Sequence, residues 1–308
     1  MSNPSIYKDP LSVMLSAVHL NIEISVNAQF CGAWLLGHKT GEKSFHLVSH
    51  GECLLTLEGE EEQTLYAGDL IIFMREVKHQ LFPTSKSTSS IEKLSYETGI
   101  RTDATGILCG TFAYENASSE NIFNALPPVL VVKQNQYTKQ WIEPLVQLIQ
   151  LESHESGLGS ALILKQLAGS LIIHSIRSYI KNSEFEIGIL KLIANKKLAK
   201  ALQAIQNEPQ LNWTVEQLAQ QSAMSRTAFA TQFKQVSGWS PIEYLTWWRM
   251  QKAWSLLAEG KTVIEVAERV GYRSEAPSQE FLKKPLISGQ VNDVKNKHNR
   301  IKIHNLFF

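Results

Sequence analysis

The sequence has few of the features that mark secreted, membrane or catalytic proteins. Only three of its 308 residues are cysteine, and in a reducing cytosol these would not hold a stable disulfide. No stretch reaches the roughly 18 consecutive apolar residues of a membrane-spanning helix. The amino end carries Lys8, Asp9 and two prolines where a signal peptide needs an apolar run. We therefore expect a cytoplasmic protein with no membrane partner.

Sequence motifs of catalysis are missing as well. The chain has no nucleophile motif, no glycine-rich loop for phosphates and no complete set of metal ligands. Hydrophobic residues make up 44% and charged residues 19% of the composition, which is ordinary for a globular protein. This length predicts about two domains, and we expect that the protein is not an enzyme.

Charge is nearly balanced over the whole chain but not within its parts. The net charge is +1, yet residues 1–185 hold 13 Lys and Arg against 19 Asp and Glu, whereas residues 186–308 hold 17 against 10. The first part is therefore acidic and the second basic. Because Lys and Arg neutralise phosphates in nucleic-acid binding, the basic part is the candidate for contact with DNA.

A helix-turn-helix pattern lies in the basic part, in the stretch WTVEQLAQQSAMSRTAFATQFKQVSG. Val215, Leu218 and Ala219 repeat at helical spacing, residues 222–224 form a short break, and Ser225 begins a second helix. This order of elements is the one that places a recognition helix in the major groove of DNA. The alternative is an ordinary helical hairpin.

The second of these helices has an apolar and a polar side. Phe229 and Phe233 are four residues apart and share a face, which we expect to be buried. Short side chains on the other face let the backbone approach base edges, while Arg and Lys reach phosphates or guanine. The candidate DNA-binding residues on that face are Arg226, Thr227, Ala230, Thr231 and Lys234.

The same unit is repeated further along the chain. Ser240 and Pro241 form an N-cap and first-turn pair, from which SPIEYLTWWRMQKAWSLLAEG continues as a long helix to Gly260. TVIEVAERVGYRSE then repeats a helix, a turn and the start of a helix. Two such units joined by one stiff helix can meet successive major-groove segments of a duplex. The apolar face predicted for the first helix of the second unit is Val263, Val266, Ala267 and Val270.

Residues 189–276 resemble the AraC/XylS family of bacterial transcription regulators. The resemblance lies in MSRTAFATQFKQVSGWSPIEYL, RMQKAWSLL and VIEVAERVGYRSE. It implies a paired helix-turn-helix domain in which Thr227, Ala230 and Thr231 match the base-facing positions of the first reading helix. In the second reading helix, the candidate DNA-binding residues are Arg273, Ser274, Glu275 and Gln279.

The chain departs from that family after residue 276. Ser278 stands where an apolar residue is expected, Glu280 places negative charge near phosphates, and Pro285 would stop the helix early. Residues 285–308 form an atypical tail without helical periodicity. Two interpretations are open: a frameshift near residue 276 has replaced the family's ending, or the ending is divergent but functional.

The acidic part contains a strand pattern. The stretch FHLVSHGECLLTLEGEEEQTLYAGDLIIFMREVKHQLFP, residues 45–83, has short alternating apolar segments separated by the turns EGEEE and AGD. Strands without intervening helices imply an antiparallel sandwich or barrel. The segment AGDLIIFMREVKH in particular resembles the cupin sensor domain that often precedes this type of DNA-binding domain.

After Lys133 the hydrophobic period becomes helical. The sequence TKQWIEPLVQLIQLES predicts one helix with a bend before Pro144, SGLGS a break, and ALILKQLAGSLIIHSIRSYIK a second helix. The apolar stripe of the second helix is wide, and the resemblance implies that the hairpin forms a homodimer. The alternative is a helix packed on its own barrel. The stripe consists of Leu164, Ala168, Leu171, Ile172, Ser175, Ile176 and Tyr179.

Three histidines in the strand region are the candidates for a metal site. Cupin metal sites usually take two histidines and a carboxylate from one motif and a histidine from a second, and His46, His50 and His79 are available here. Val48 stands where the second, closely spaced histidine is expected. His46 and His50 are four residues apart and would share a strand face. The alternative is that the histidines are structural and that the protein has no cofactor.

The cysteines suggest a different kind of sensor. Cys31, Cys53 and Cys109 all lie in the acidic part, and Cys31 and Cys109 each precede a glycine that leaves room for a partner sulfur. The redox hypothesis is a switch in which Cys109 is oxidised and Cys31 or Cys53 resolves it. The alternative is three small buried hydrophobes. A small apolar or aromatic effector in the barrel is the competing signal.

These patterns predict an α+β protein: an N-terminal antiparallel β cupin-like barrel with a helical hairpin, followed by an all-α domain with two helix-turn-helix motifs. The predicted boundaries are 1–134 for the sensor, 135–185 for the hairpin, 186–284 for the DNA-binding domain and 285–308 for the tail. The expected function is regulation of transcription from promoter DNA as a homodimer, with RNA polymerase and a small-molecule or oxidant effector as further partners. The alternative is a cupin-based small-molecule binder or metalloenzyme whose DNA-binding domain has decayed.

Overall fold

A computed structural model describes most of the chain as far as Tyr272. The described residues are 9–16, 20–37, 42–85, 89–114, 123, 125–135, 137–155, 157–182 and 188–272. The predicted boundary after Phe185 and the atypical tail lie outside these residues. Within them, strands occupy the first part of the chain and helices the second, as the hydrophobic periods predict.

Ten strands in the described residues form two antiparallel sheets. The strands are β1 (Leu20–Cys31), β2 (Leu36–Gly37), β3 (Lys43–His50), β4 (Glu52–Leu57), β5 (Gln63–Tyr66), β6 (Leu70–Phe73), β7 (His79–Phe82), β8 (Glu92–Leu94), β9 (Thr105–Tyr114) and β10 (Val129–Val132). The larger sheet has the order β10-β6-β3-β9-β1-β8 and the smaller has the order β2-β7-β4-β5. The predicted antiparallel architecture of the first part is therefore confirmed.

Alternate side chains of β9 point into two different cores, one on each face of the larger sheet. Ile107 and Cys109 pack between the two sheets, whereas Leu108 and Phe112 belong to the core on the opposite face. Cys109 is only 4% exposed. Its thiol is therefore enclosed by the barrel and not displayed on its surface.

Helices cover the outer face of the larger sheet. A short helix, α1 (Pro10–Ser16), precedes the strands, and the predicted hairpin follows them as α2 (Lys139–Glu155) and α3 (Ser160–Asn182). The side-chain amide of Gln150 on α2 donates a hydrogen bond to the carbonyl of Ser49 at 2.6 Å. This bond ties the hairpin to the end of β3.

The apolar stripe predicted on α3 packs inside the protomer. Its members from Leu164 to Ile176 are buried in the core that the hairpin shares with the larger sheet. This stripe therefore packs α3 on its own barrel, which is the alternative to a dimer contact. A homodimer would need a different surface. The exposed apolar residues of the hairpin are Leu148, Leu151, Leu158, Leu162, Ile163 and Ile173.

The described helices after residue 188 include both helices of the first predicted unit and the first helix of the second. They are α4 (Ile189–Ala194), α5 (Leu198–Asn207), α6 (Val215–Gln221), α7 (Arg226–Ser237), α8 (Pro241–Ala258) and α9 (Val263–Arg269). Thr214, Ser240 and Thr262 each form a capping box, in which the hydroxyl accepts from a backbone N–H and a Gln or Glu side chain accepts from the cap's own N–H. The predicted helix starts at Ser225 and Ser240 are confirmed.

Two hydrophobic cores support these helices. The larger one surrounds Phe229, Phe233 and Tyr244 and is continuous with the core between the hairpin and the barrel. The smaller one lies between α8 and α9 and is separate. The predicted apolar face of α9 is buried except at Val263, which is 38% exposed because it lies in the first turn, beyond the end of this small core. None of the described helices combines the length and hydropathy of a membrane span.

Candidate DNA-reading surface and buried sensor cluster

The outer side of α7 is the candidate surface for reading DNA. Phe229 and Phe233 are fully buried on the inner side, with ring centroids 5.5 Å apart, which confirms the predicted buried face. This packing fixes the rotation of the helix about its own axis. The outer side carries the exposed Arg226, Thr227, Thr231 and Lys234, with the half-buried Ala230 at its edge.

The turn before α7 determines where the reading helix begins. Ala223 has a φ of 51°, in the left-handed region that residues with a side chain seldom adopt. Ser225 then caps α7 by accepting a hydrogen bond from the backbone N–H of Ala228. The sequence predicts a break here but not this backbone conformation, because a glycine or asparagine normally marks it.

Arg226 lies between the two helices of the first unit. Its Nε is 3.5 Å from a carboxylate oxygen of Glu216 on α6, and the two side chains are 66% and 57% exposed. Water screens such a pair strongly, so Arg226 can exchange this partner for a phosphate. Gln235 is also exposed, one turn beyond Thr231 on the same side. Gln235 is not among the predicted DNA-binding residues, because it lies after the positions that match the family pattern.

The second unit is described only as far as Tyr272. Helix α9 forms its first helix, and Gly271 begins the turn with a φ of 83°. The unusual residues after position 276 lie outside the described residues, and so do the candidates for the second reading helix. Those candidates stay predictions: Arg273, Ser274, Glu275 and Gln279.

Inside the barrel, one cysteine and two histidines form a chain of contacts. The Sγ of Cys109 on β9 lies 2.7 Å from Nδ1 of His46 on β3, and Nε2 of His46 lies 2.8 Å from Nε2 of His79 on β7. Nδ1 of His79 lies 2.7 Å from the carbonyl oxygen of Val77. All three side chains are buried, and together they connect the two sheets.

The carbonyl of Val77 determines the proton positions in this chain. A carbonyl oxygen only accepts, so Nδ1 of His79 carries a proton and, in a neutral ring, its Nε2 accepts. Nε2 of His46 therefore donates, which leaves its Nδ1 to accept from the Cys109 thiol. Burial, and then the nearby Cys53, raises the pKa of Cys109, while burial and His79 lower the pKa of His46 to about 3. The resting chain is therefore neutral.

His50 does not join this chain. The register of β3 against β9 shifts between Val48 and His50, and this bulge interrupts the alternation that would place His46 and His50 on one face. The ring of His50 instead lies against Gly106 and meets Tyr96 edge-on at 5.8 Å. Neither of its nitrogens has a hydrogen-bond partner, and burial lowers its pKa.

Of the three histidines considered for a metal site, only His46 and His79 are therefore in contact. Both ring nitrogens of His46 are directed at different partners, so they do not converge with His50 and His79 on one point. Within the ranges that the structure describes, no group of three or more His, Cys, Asp or Glu side chains is arranged to hold a metal ion.

The three cysteines differ in their distance from this cluster. Cys53 on β4 belongs to the same core as Cys109 and is buried. Cys31 is at the end of β1, five residues beyond Val26, which pairs with Cys109. Five residues of strand span about 16 Å, whereas disulfide-bonded Cα atoms are at most about 7 Å apart. Of the two predicted resolving cysteines, the geometry favours Cys53.

An open cleft lies beside the barrel strands and is lined by their ends and by the following loops. Its volume is about 760 Å³, and its lining includes Cys31, Trp34, Glu52 and Arg101. The guanidinium of Arg101 makes ion pairs with two neighbouring carboxylates, so the lining is largely polar. The space between the sheets is lined by buried, mostly apolar side chains.

Comparison with known proteins gives matches over both parts of the chain. Residues 9–181 match the family model described as Cupin, and residues 218–284 match the one described as Helix-turn-helix domain. An uncharacterised HTH-type transcriptional regulator of Haemophilus influenzae is 32% identical, covering 87% of this chain and 92% of its own. A Streptomyces lividans protein named as an AraC-like transcription regulator is 28% identical, covering 87% and 92%. The RCS-specific HTH-type transcriptional activator RclR of Escherichia coli is 27% identical, covering 87% and 90%.

Proposed function

Because the chain belongs to the AraC/XylS family of transcription regulators with a cupin-type N-terminal domain, we propose that it binds promoter DNA in the cytoplasm as a homodimer. There it would act on RNA polymerase, under the control of an oxidant signal at Cys109. The similarity extends over the sensor and the DNA-binding units together. It therefore favours a regulator over a cupin enzyme or binder with a decayed DNA-binding domain.

One observation carries the DNA-binding proposal. Helix α7 begins at a capping serine, two buried phenylalanines fix which of its sides faces the core, and its outer side is exposed. The test is an anisotropy titration of the reduced full chain on duplexes from upstream of its own gene, at several salt concentrations. We expect one duplex to bind with a Kd of about 10⁻⁸ M or below, and the affinity to fall steeply with salt. Weak and equal binding to every duplex would contradict the proposal.

Exposed apolar side chains on the hairpin support the homodimer. Leu148 and Leu151 on α2 are 50% and 54% exposed, and Leu162 on α3 is 63% exposed. Ile173, further along α3, is 38% exposed. Adjacent helices of one protomer thus leave several large apolar side chains in water, which is typical of a surface that meets a second copy. This surface is distinct from the buried stripe of α3.

The Leu162→Glu variant is expected to be a monomer at concentrations where the unaltered chain is a dimer. A carboxylate in an apolar contact must be desolvated without a partner, which opposes association. Sedimentation velocity would report the change from twice 34.7 kDa to 34.7 kDa. Leu35→Glu is the matched control, since Leu35 is 56% exposed but lies in the barrel. A monomeric unaltered chain, or a dimeric Leu162→Glu variant, would exclude this surface.

The series of hydrogen bonds from Val77 through His79 and His46 to Cys109 supports the proposed oxidant signal. Transfer of the thiol proton to Nδ1 of His46, with transfer of the Nε2 proton of His46 to His79, leaves a thiolate on Cys109 and an imidazolium on His79. The ring of Phe73 stacks on His79 at 3.7 Å, and the carbonyl of Val77 still accepts from it. Both contacts favour the positive charge at this end of the chain.

The thiolate can then react with a hydroperoxide. Its sulfur attacks the OH oxygen of the peroxide, and an S–O bond forms as the O–O bond breaks. The leaving alkoxide or hydroxide takes the Nδ1 proton of His46, and His79 returns its extra proton to Nε2 of His46. The products are a sulfenic acid on Cys109 and an alcohol or water. Attack by the Cys53 thiol would release water and form a disulfide. Because facing sheets lie about 10 Å apart and bridged Cα atoms at most about 7 Å apart, this bond would draw β4 toward β9 and deform the sensor.

A further inference from the structure

Arg249 contacts both helix-turn-helix units. Arg249, in the middle of α8, donates from Nε to the carbonyl of Pro209 at 2.7 Å and from Nη2 to the carbonyl of Leu211 at 3.0 Å. Its guanidinium also lies over the ring of Tyr272, 5.4 Å from the centroid. Pro209 and Leu211 belong to the loop between α5 and α6 of the first unit, whereas Tyr272 belongs to the turn of the second.

Gly271 brings the backbones of the two units together at the same place. A Cβ on Gly271 would lie 2.5 Å from the carbonyl oxygen of Gln210 and 2.7 Å from its Cα, and the φ of Gly271 is 83°. A residue with a side chain therefore does not fit without moving one unit away from the other. We call this set the unit junction: the loop 209–211, Arg249, Gly271 and Tyr272.

Apolar packing does not join the two units at this point. Trp248, the residue before Arg249, belongs to the core of the first unit, whereas Ala253 and Leu256 belong to the core of the second. These two cores are separate clusters within the described residues. Within the described residues, the angle between the units therefore depends on α8 and on the unit junction, and not on a shared apolar core.

We propose that Arg249 is a positioning residue that sets the distance and angle between the two DNA-reading units, and thereby makes binding depend on the spacing between the two half-sites of a promoter. The proposal rests on the promoter binding proposed above. Inserting one base pair moves a half-site by about 3.4 Å and rotates it around the duplex. Two units held at a fixed angle cannot follow that movement, whereas loosely joined units can.

The test uses the full chain and the duplex that it binds best. Variants of that duplex carry one or two inserted or deleted base pairs between the half-sites, and a further duplex has the second half-site scrambled. The unaltered chain is expected to prefer the native spacing by about thirtyfold over the altered ones, since a mismatched contact region costs roughly that much affinity. Arg249→Met is expected to reduce this preference to about threefold while leaving affinity for the scrambled duplex unchanged within about twofold.

Two further variants distinguish loss of the unit junction from loss of a positive charge on α8. Gly271→Ala acts on the opposite side of the junction and is expected to flatten the spacing preference in the same way. Lys252→Met removes one positive charge from an exposed position of the same helix and should leave the preference intact. Melting temperatures of all three variants show whether each chain is folded.

Three results would overturn the proposal. Equal loss of affinity for every duplex in Arg249→Met, including the scrambled one, would mean that Arg249 supports the fold and not the spacing. Absence of a spacing preference in the unaltered chain, with specific binding to the first half-site retained, would refute the inference but leave promoter binding in place. Failure of the unaltered chain to bind any duplex specifically would refute promoter binding as well.

Discussion

The Thr231→Glu variant is expected to bind promoter DNA at least about a hundredfold more weakly than the unaltered chain, with the same melting temperature. Thr231 is at the centre of the exposed side of α7, opposite Phe229 and Phe233. A carboxylate there would face phosphates and the acceptor-rich edges of bases in the major groove. A hundredfold loss corresponds to about 2.8 kcal/mol, which is within the cost of bringing like charges together. Anisotropy titration on the best duplex measures it.

A matched charge change elsewhere serves as the control. Gln80→Glu alters the net charge by the same amount at an exposed position on β7 of the sensor, and its affinity should stay within about twofold of the unaltered chain. A similar loss in both variants would attribute the effect to net charge alone. Normal binding by Thr231→Glu would mean that α7 does not read DNA.

The His79→Gln variant is expected to slow oxidation of Cys109 by hydrogen peroxide at least about a hundredfold at pH 7, which is the low end for a positioned acid–base group. In the unaltered chain the proton stays within the cluster, so the rate should hardly change between about pH 6 and 8. In the variant, the thiol must lose its proton to solvent. Because burial raises the pKa of Cys109, the thiolate fraction and the rate should then rise about tenfold per pH unit. Trapping of the sulfenic acid followed by mass spectrometry gives both rates.

The slope of this pH profile distinguishes proton transfer from a structural role. Cys53 and Tyr96 are the other titratable groups that interact with Cys109, and burial raises the pKa of each to about 12. Both stay neutral over this pH range, so the slope reports Cys109 alone. His46→Gln should behave like His79→Gln, and His50→Gln, which alters a histidine outside the chain of contacts, should not. A flat profile at the normal rate in His46→Gln and His79→Gln would exclude the histidine chain.

Local signals made the DNA-binding helices predictable from sequence. Ser225 and the pair Ser240 and Pro241 mark helix starts through short-range hydrogen bonds and a fixed φ, and the structure has both. The spacing of Phe229 and Phe233 likewise determines which side of α7 is buried, because helix geometry alone relates the two positions. For these helix starts and this buried face, the neighbouring residues were sufficient, although they did not reveal the positive φ of Ala223.

Features that depend on strand register were not predictable. A bulge between Val48 and His50 separates His50 from His46, and a rule that counts residues along a strand cannot detect it. The contact between His46, His79 and Cys109 requires three strands to be aligned, as does the choice of Cys53 over Cys31. A wide apolar stripe on α3 indicates burial, but it does not say whether the covering surface is the same chain or a second copy.

The contact of α1 with α5 has a consequence for how the protein loses structure. Met14 of α1 is fully buried in the same continuous core as Leu198 and Leu202 of α5, so we expect the sensor and the first reading unit to unfold together. A fragment containing only the DNA-binding helices would expose the apolar side of α5 and aggregate readily. By the same contact, a change that destabilises the barrel is expected to lower the free energy of unfolding of the reading helix as well. The small core under α9 is a separate cluster, so we expect it to open independently of the larger one.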